Sequence, residues 1–202
     1  MNRRLFLWGL SNGATMLALA GAFWIGLGIG MVAQHAHWAI SAVGTVIQVG
    51  GGVGLILAAV RLRRRSGFRR SELRRLEGVA EGQKQHIVTW VRWTTVGQTL
   101  LTSVLVWICV RAHAEHLIWP SIGVVVSLHF APLGKIFHVR TYHATAIAGT
   151  IASGAGFAMS DTPYGVASFG LGMATIMWVS AAHVLFNADR IADQACAEHW
   201  AG

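Results

Sequence analysis

The chain has 202 residues, of which 54% are hydrophobic and only 12% charged, and carries a formal net charge of +8. That composition, with a mean hydropathy of +0.52, excludes an ordinary soluble domain and points to a polytopic membrane protein. The positive charge does not imply a nucleic-acid partner, because the basic residues sit in blocks between apolar runs, with no aromatic stacking pattern and no folded nucleic-acid module.

From Leu5 to Val60 the 56 residues include no Lys, Arg, Asp or Glu. One span needs about 20 apolar residues, so this run alone crosses a bilayer twice. Arg3-Arg4, the apolar stretch after them and Ala18-Leu19-Ala20 imitate an export signal with a cleavage site. The apolar run continues well past Ala20, so residues 6 to 33 are predicted to form an uncleaved first helix.

An all-α fold of six transmembrane helices follows, at about 7–33, 38–60, 88–110, 117–134, 141–160 and 164–186, in a single domain over residues 1–202. A basic loop occupies 61–87 and a polar tail 187–202. In the loop, Leu73, Leu76 and Ala80 recur at helical spacing among arginines, as in a short helix lying in the headgroups; the simpler alternative is a topology signal with no specific ligand. With the N-terminus inside, fifteen of the sixteen basic residues lie at or near the cytoplasmic face and only Arg111 lies outside. The expected location is a bacterial-type cytoplasmic (inner) membrane with both termini cytoplasmic. Anionic headgroups at Arg61 to Arg75 are the expected lipid partner.

Several spans carry small-xxx-small pairs, among them Gly9 with Gly13 and Gly26 with Gly30, and Gly50 to Gly54 is rich in glycine. Such pairs let helix backbones approach closely. Trp8, Trp38, Trp90, Trp93 and Trp119 fit interfacial belts, while Trp107 and Trp178 fall deeper, where the indole N–H needs a partner. Cys109 and Cys196 are assigned to opposite faces, so no disulfide framework is expected.

The histidines fall into two tiers. On the outer side His35, His37, His113, Glu115 and His116 sit in short loops, a donor set that suits zinc or copper if three or four converge, and that is otherwise solvated. On the inner side His129, His138, His143 and His183 lie near the cytoplasmic ends of the last three helices, with Lys135, Arg140 and Tyr142 beside them. Ionisable groups in a membrane are costly and usually face a cavity or a partner, so these residues are the candidate ligand site. Three uses compete: axial ligation of a haem, capture of a quinone or an anionic lipid head, and passage of a solute along a polar path through Gln48 and Gln98. Against all three stands a structural role, with the histidines donating to carbonyls freed by Pro132.

Leu128, His129, Phe130, Pro132, Leu133, Phe137, Val139 and Tyr142 form a pattern of the type LHF-x-PL-x-x-x-F-x-V-x-x-Y. It resembles a segment of small polytopic bacterial membrane proteins of unknown function. The resemblance covers about a tenth of the chain and implies class and location, without a reaction.

No nucleophile motif, phosphate-binding glycine loop or metalloprotease helix is present, and no Asp or Glu falls within a predicted span. The expected function is therefore non-enzymatic: transport or sensing of a small solute, or an accessory subunit joined to another membrane protein or to further copies of itself. The alternative is a haem- or quinone-binding redox component.

Overall fold

A computed structural model of the protein describes residues 3–33, 38–67, 81–137, 139–162 and 164–200. The predicted headgroup helix around Leu73, Leu76 and Ala80, and the histidines His35, His37 and His138, lie outside the described residues. The described residues are all helical, without a strand: α1 (Arg3–Ala33), α2 (Trp38–Arg65), α3 (Glu81–Arg111), a 3-10 turn (Glu115–Leu117), α4 (Ile118–Phe137), α5 (Arg140–Ala158), α6 (Gly165–Phe186) and α7 (Ala188–Trp200). Five of these, α1, α2, α3, α4 and α6, are long and apolar enough to cross a membrane. The sixth predicted span, α5, has 19 residues rich in Ala, Gly, Ser and Thr, which lowers its hydropathy.

Several element ends differ from the sequence reading, among them the start of α3, at Glu81 in place of 88, and the ends of α2 and α4. α2 continues to Arg65 and stops where Gly67 takes φ 63°, a left-handed conformation open to glycine, with its N–H donating to the Arg64 carbonyl at 3.2 Å. α4 does not end at Pro132 and Gly134; Pro132 lies inside the helix, which runs on to Phe137. Proline removes one helical hydrogen bond, and membrane helices tolerate this because neighbours and local adjustment re-satisfy the freed carbonyl. The break comes at Val139, extended at φ −108° and ψ 101°, whose N–H donates back to the Gly134 carbonyl at 3.1 Å.

The predicted polar tail is also helical. α7 follows α6 after Asn187, buries Ala188 and Ala192, and packs on the start of α1. Arg3 of α1 bonds Asp189 at 2.7 Å and Asp193 at 2.8 Å, so the two chain ends meet at one end of the molecule.

Packing places the helices in the order α2–α1–α6–α5–α4–α3. Neighbours in this order run antiparallel: Gln48 of α2 meets Ala22 of α1 while Arg63 of α2 lies over Trp8, with 5.6 Å from the guanidinium carbon to the ring centroid. The core follows α1 and α6, where Leu17, Trp24, Met173, Met177 and Val184 are fully buried or nearly so. At one close contact of these two helices, a methyl on Gly170 would lie 2.8 Å from the Trp24 carbonyl oxygen and 3.0 Å from the Gly28 nitrogen, so only glycine fits. Lipid tails are as apolar as leucine, and such close backbone packing, not water exclusion, holds membrane helices together. The outward faces of α2 and α3 are correspondingly apolar, with Val46 72% and Leu100 62% exposed.

Candidate functional site

The inner histidines share a depth but not a direction. His129, half-buried on α4, lies against the Thr94 backbone of α3. His143, exposed on α5, lies over Gly134 of α4, where an added methyl would approach its ring within 2.8 Å. His183, exposed on α6, lines a groove between α5 and α6. The structure does not bring the three together: each occupies a different interhelical cleft. A bis-histidine haem needs two axial ligands facing each other across its plane, and these three histidines do not supply such a pair.

Tyr142 is a core residue, not part of an open site. It is buried on α5, its hydroxyl seats against Gly13 of α1, and its ring lies 6.1 Å from that of Phe130. Lys135 is exposed near the end of α4 and does not line the groove. Arg140, exposed as the first residue of α5, does.

The groove has a cavity volume of about 530 Å³. From α5 it takes Arg140, Thr141, Ala144, Thr145 and Ala148; from α6 it takes Thr175, Ile176, Val179, Ser180 and His183. Both sets have the same spacing, two adjacent residues repeated one turn on, then one more, which marks one face of a helix. Antiparallel packing brings Arg140 and His183 to the same end and leaves Ala148, Thr175 and Ile176 nearer mid-span. Val179 is 62% exposed, so the groove opens outward along the helices instead of being sealed in the bundle.

Its floor is internally satisfied. Thr145 donates to the Thr141 carbonyl at 2.8 Å, which leaves its oxygen to accept from the Ser180 hydroxyl at 2.6 Å. Two hydroxyls that would otherwise attract water are spent on each other, and the mid-span walls present mainly carbon. The polar capacity of the groove is concentrated in Arg140, Thr141 and His183. The same spacing is visible in the sequence, but Thr141, Thr175, Ile176 and Val179 carry no chemistry that singles them out, and only packing assigns them to one surface.

Gln48, placed by the sequence on a polar path, is engaged within the bundle. Its amide donates to the Ala22 carbonyl at 2.8 Å, tying α2 to α1. At the opposite end of the helices His113 adopts φ 54°, and His116 Nε2 lies 3.5 Å from Asp161 Oδ1, linking the α3–α4 turn to the α5–α6 turn. His113, Glu115 and His116 are all exposed, and among the described residues no three His, Cys, Asp or Glu are grouped to hold a metal ion. No family model, curated protein or solved structure matches the chain.

Proposed function

We propose that the chain is a six-span protein of a bacterial-type cytoplasmic membrane, with both termini cytoplasmic, that acts without chemistry of its own as a sensing or accessory component. Its ligand enters sideways from the bilayer into the α5/α6 groove. The groove itself carries this reading: an outward-opening apolar trough with its charge at one end suits an amphiphile arriving from lipid better than a solute crossing between aqueous phases. The commitment of Gln48 to the Ala22 carbonyl also speaks against a transport path.

Six crossings are supported by register. α5 pairs with α4 from His143 against Gly134 to Ser153 against Gly123, and with α6 from Thr145 against Ser180 to Gly156 against Phe169. It therefore covers much of the thickness of two helices that are apolar enough to span. At 1.5 Å per residue it is about 28 Å long, close to the roughly 30 Å hydrocarbon core. Its Ile147 and Ile151, 63% and 68% exposed, supply the lipid-facing side, while Ala146, Gly149, Ser153 and Gly156 are buried against protein. The orientation rests on the basic end, where Arg3, Arg61 to Arg65, Lys135 and Arg140 gather, opposite Arg111.

Native mass spectrometry of the full chain extracted from membranes tests the function. One retained small amphiphile per protein, lost in Ala148→Leu, is the expected result; the absence of any retained mass sensitive to Ala148 sinks the reading. Labelling in intact cells with an impermeant thiol reagent, in a background lacking Cys109 and Cys196, tests the threading. Asp161→Cys is expected to react and Lys135→Cys to stay protected; the reverse pattern inverts the topology.

A further inference from the structure

We infer that the α5/α6 groove binds one anionic phospholipid, its phosphate held by Arg140 and His183 and an acyl chain laid along Ala144, Ala148, Ile176 and Val179. The inference rests on the reading of this groove as a ligand site and names the ligand's class.

Charge complementarity selects the head. Arg140 presents a planar fork of donors that matches phosphate oxygens, and His183 adds a ring nitrogen from the opposite wall. Both stand at the basic end of the helices, at the level where headgroups lie. Arg140 opens α5, and Val139 ahead of it makes no side-chain cap bond, so the partial positive charge of the helix start faces the same place. Apolar walls select the tail. From Arg140 to Ala148 the groove descends about 12 Å at 1.5 Å per residue, and the bond between Thr145 and Ser180 removes the hydroxyls that would favour a polar ligand. A soluble anion gains nothing from that descent, whereas a lipid chain fills it.

Detergent-solubilised full-length protein, titrated by native mass spectrometry with phosphatidylglycerol or phosphatidylcholine of matched chain length, tests this. One phosphatidylglycerol adduct is expected where phosphatidylcholine gives none. Arg140→Gln and His183→Gln are each expected to weaken it about five- to tenfold, as for loss of one charge-assisted contact near a membrane surface. Lys135→Gln, outside the groove, is expected to leave it unchanged. Ala148→Trp is expected to remove the adduct while the protein stays monodisperse, with Ala148→Leu as the milder substitution if the bulkier one disturbs folding.

Equal binding of the two lipids, or full phosphatidylglycerol binding by Arg140→Gln, overturns the anionic assignment while a continuing effect of the Ala148 variants leaves the groove as a ligand site. Indifference of both lipids to the Ala148 variants overturns both readings. Displacement of the lipid by millimolar inorganic phosphate alone would make this a site for the free anion and also overturns the inference.

Discussion

The Trp178 indole N–H donates to the Ala18 carbonyl at 3.1 Å, across the α1/α6 interface and one helical turn from the carbonyl that accepts from Gln48. Two neighbouring helices thus reach the same edge of α1 at successive turns. The ring fits because Gly21 and Gly51 flank it; a methyl at either position would collide with it. Trp178→Phe is expected to lower stability by about 0.6–1.7 kcal/mol, the range for hydrogen bonds between membrane helices. Gly51→Ala, which overfills the slot, is expected to cost about 1–3 kcal/mol. Unfolding by added denaturing detergent reads both, and a Gly51→Ala protein as stable as the parent contradicts the slot.

Ser127 has a fully buried hydroxyl without a hydrogen-bond partner among the described residues, pressed against Gly149 of α5. An unpaired buried hydroxyl costs about 1–3 kcal/mol. Ser127→Ala removes it without opening a large cavity and is expected to stabilise the protein by about 1 kcal/mol. A loss of stability would show that the hydroxyl has a partner in the membrane.

His129 and His183 should separate in the same unfolding assay. His129 lies against the Thr94 backbone of α3, which packs chiefly on α4. His129→Leu is expected to cost about 0.6–1.7 kcal/mol. His183→Leu, altering an exposed groove residue, is expected to change ligand retention more than stability. Similar stability losses in both would undo the distinction.

Arg3 anchors α7 through Asp193 and Asp189, and the hydrogen bond to Asp193 holds its guanidinium above the ordinary value. A raised pKa contributes fully below the unfolded value and is lost only as pH climbs through the folded one, both far above neutrality. Arg3 itself therefore confers no pH dependence near neutrality. The pairs are solvent-exposed and screened, so their effect is local. In Arg3→Gln, and in the parent at high salt, amide exchange in α7 is expected to quicken while α1 and α6 are unaffected; unchanged exchange in α7 would show that Ala188 and Ala192 alone dock it.

The sequence made depth legible and left direction hidden. Apolar length and blocks of charge locate α1 to α6 closely, since both report directly on where a segment meets water. They say nothing of how each helix is turned about its axis. Each residue rotates that direction by about 100°, so His129, His143 and His183 share a level and still face three clefts. The glycine pairs divide for the same reason: Gly13 meets Tyr142 and Gly26 meets Gln48, while Gly9 and Gly30 have open space within 4 Å. The helix of α7 was hidden by its polar composition, because only docking on α1 gives Ala188 and Ala192 something to bury against.

The order α2–α1–α6–α5–α4–α3 sets a schedule for assembly. α1 and α2 can pair as soon as they are made, as can α3, α4 and α5, but contact between the two groups before α6 arrives is slight, chiefly the Tyr142 hydroxyl at Gly13 and the Phe23 ring beside Trp119. α6, made after both groups, is thus the helix that joins the halves. A ribosome stalled before Gly165 would leave two loosely associated pieces in the membrane, and any quality control that recognises unjoined helices would find its target there.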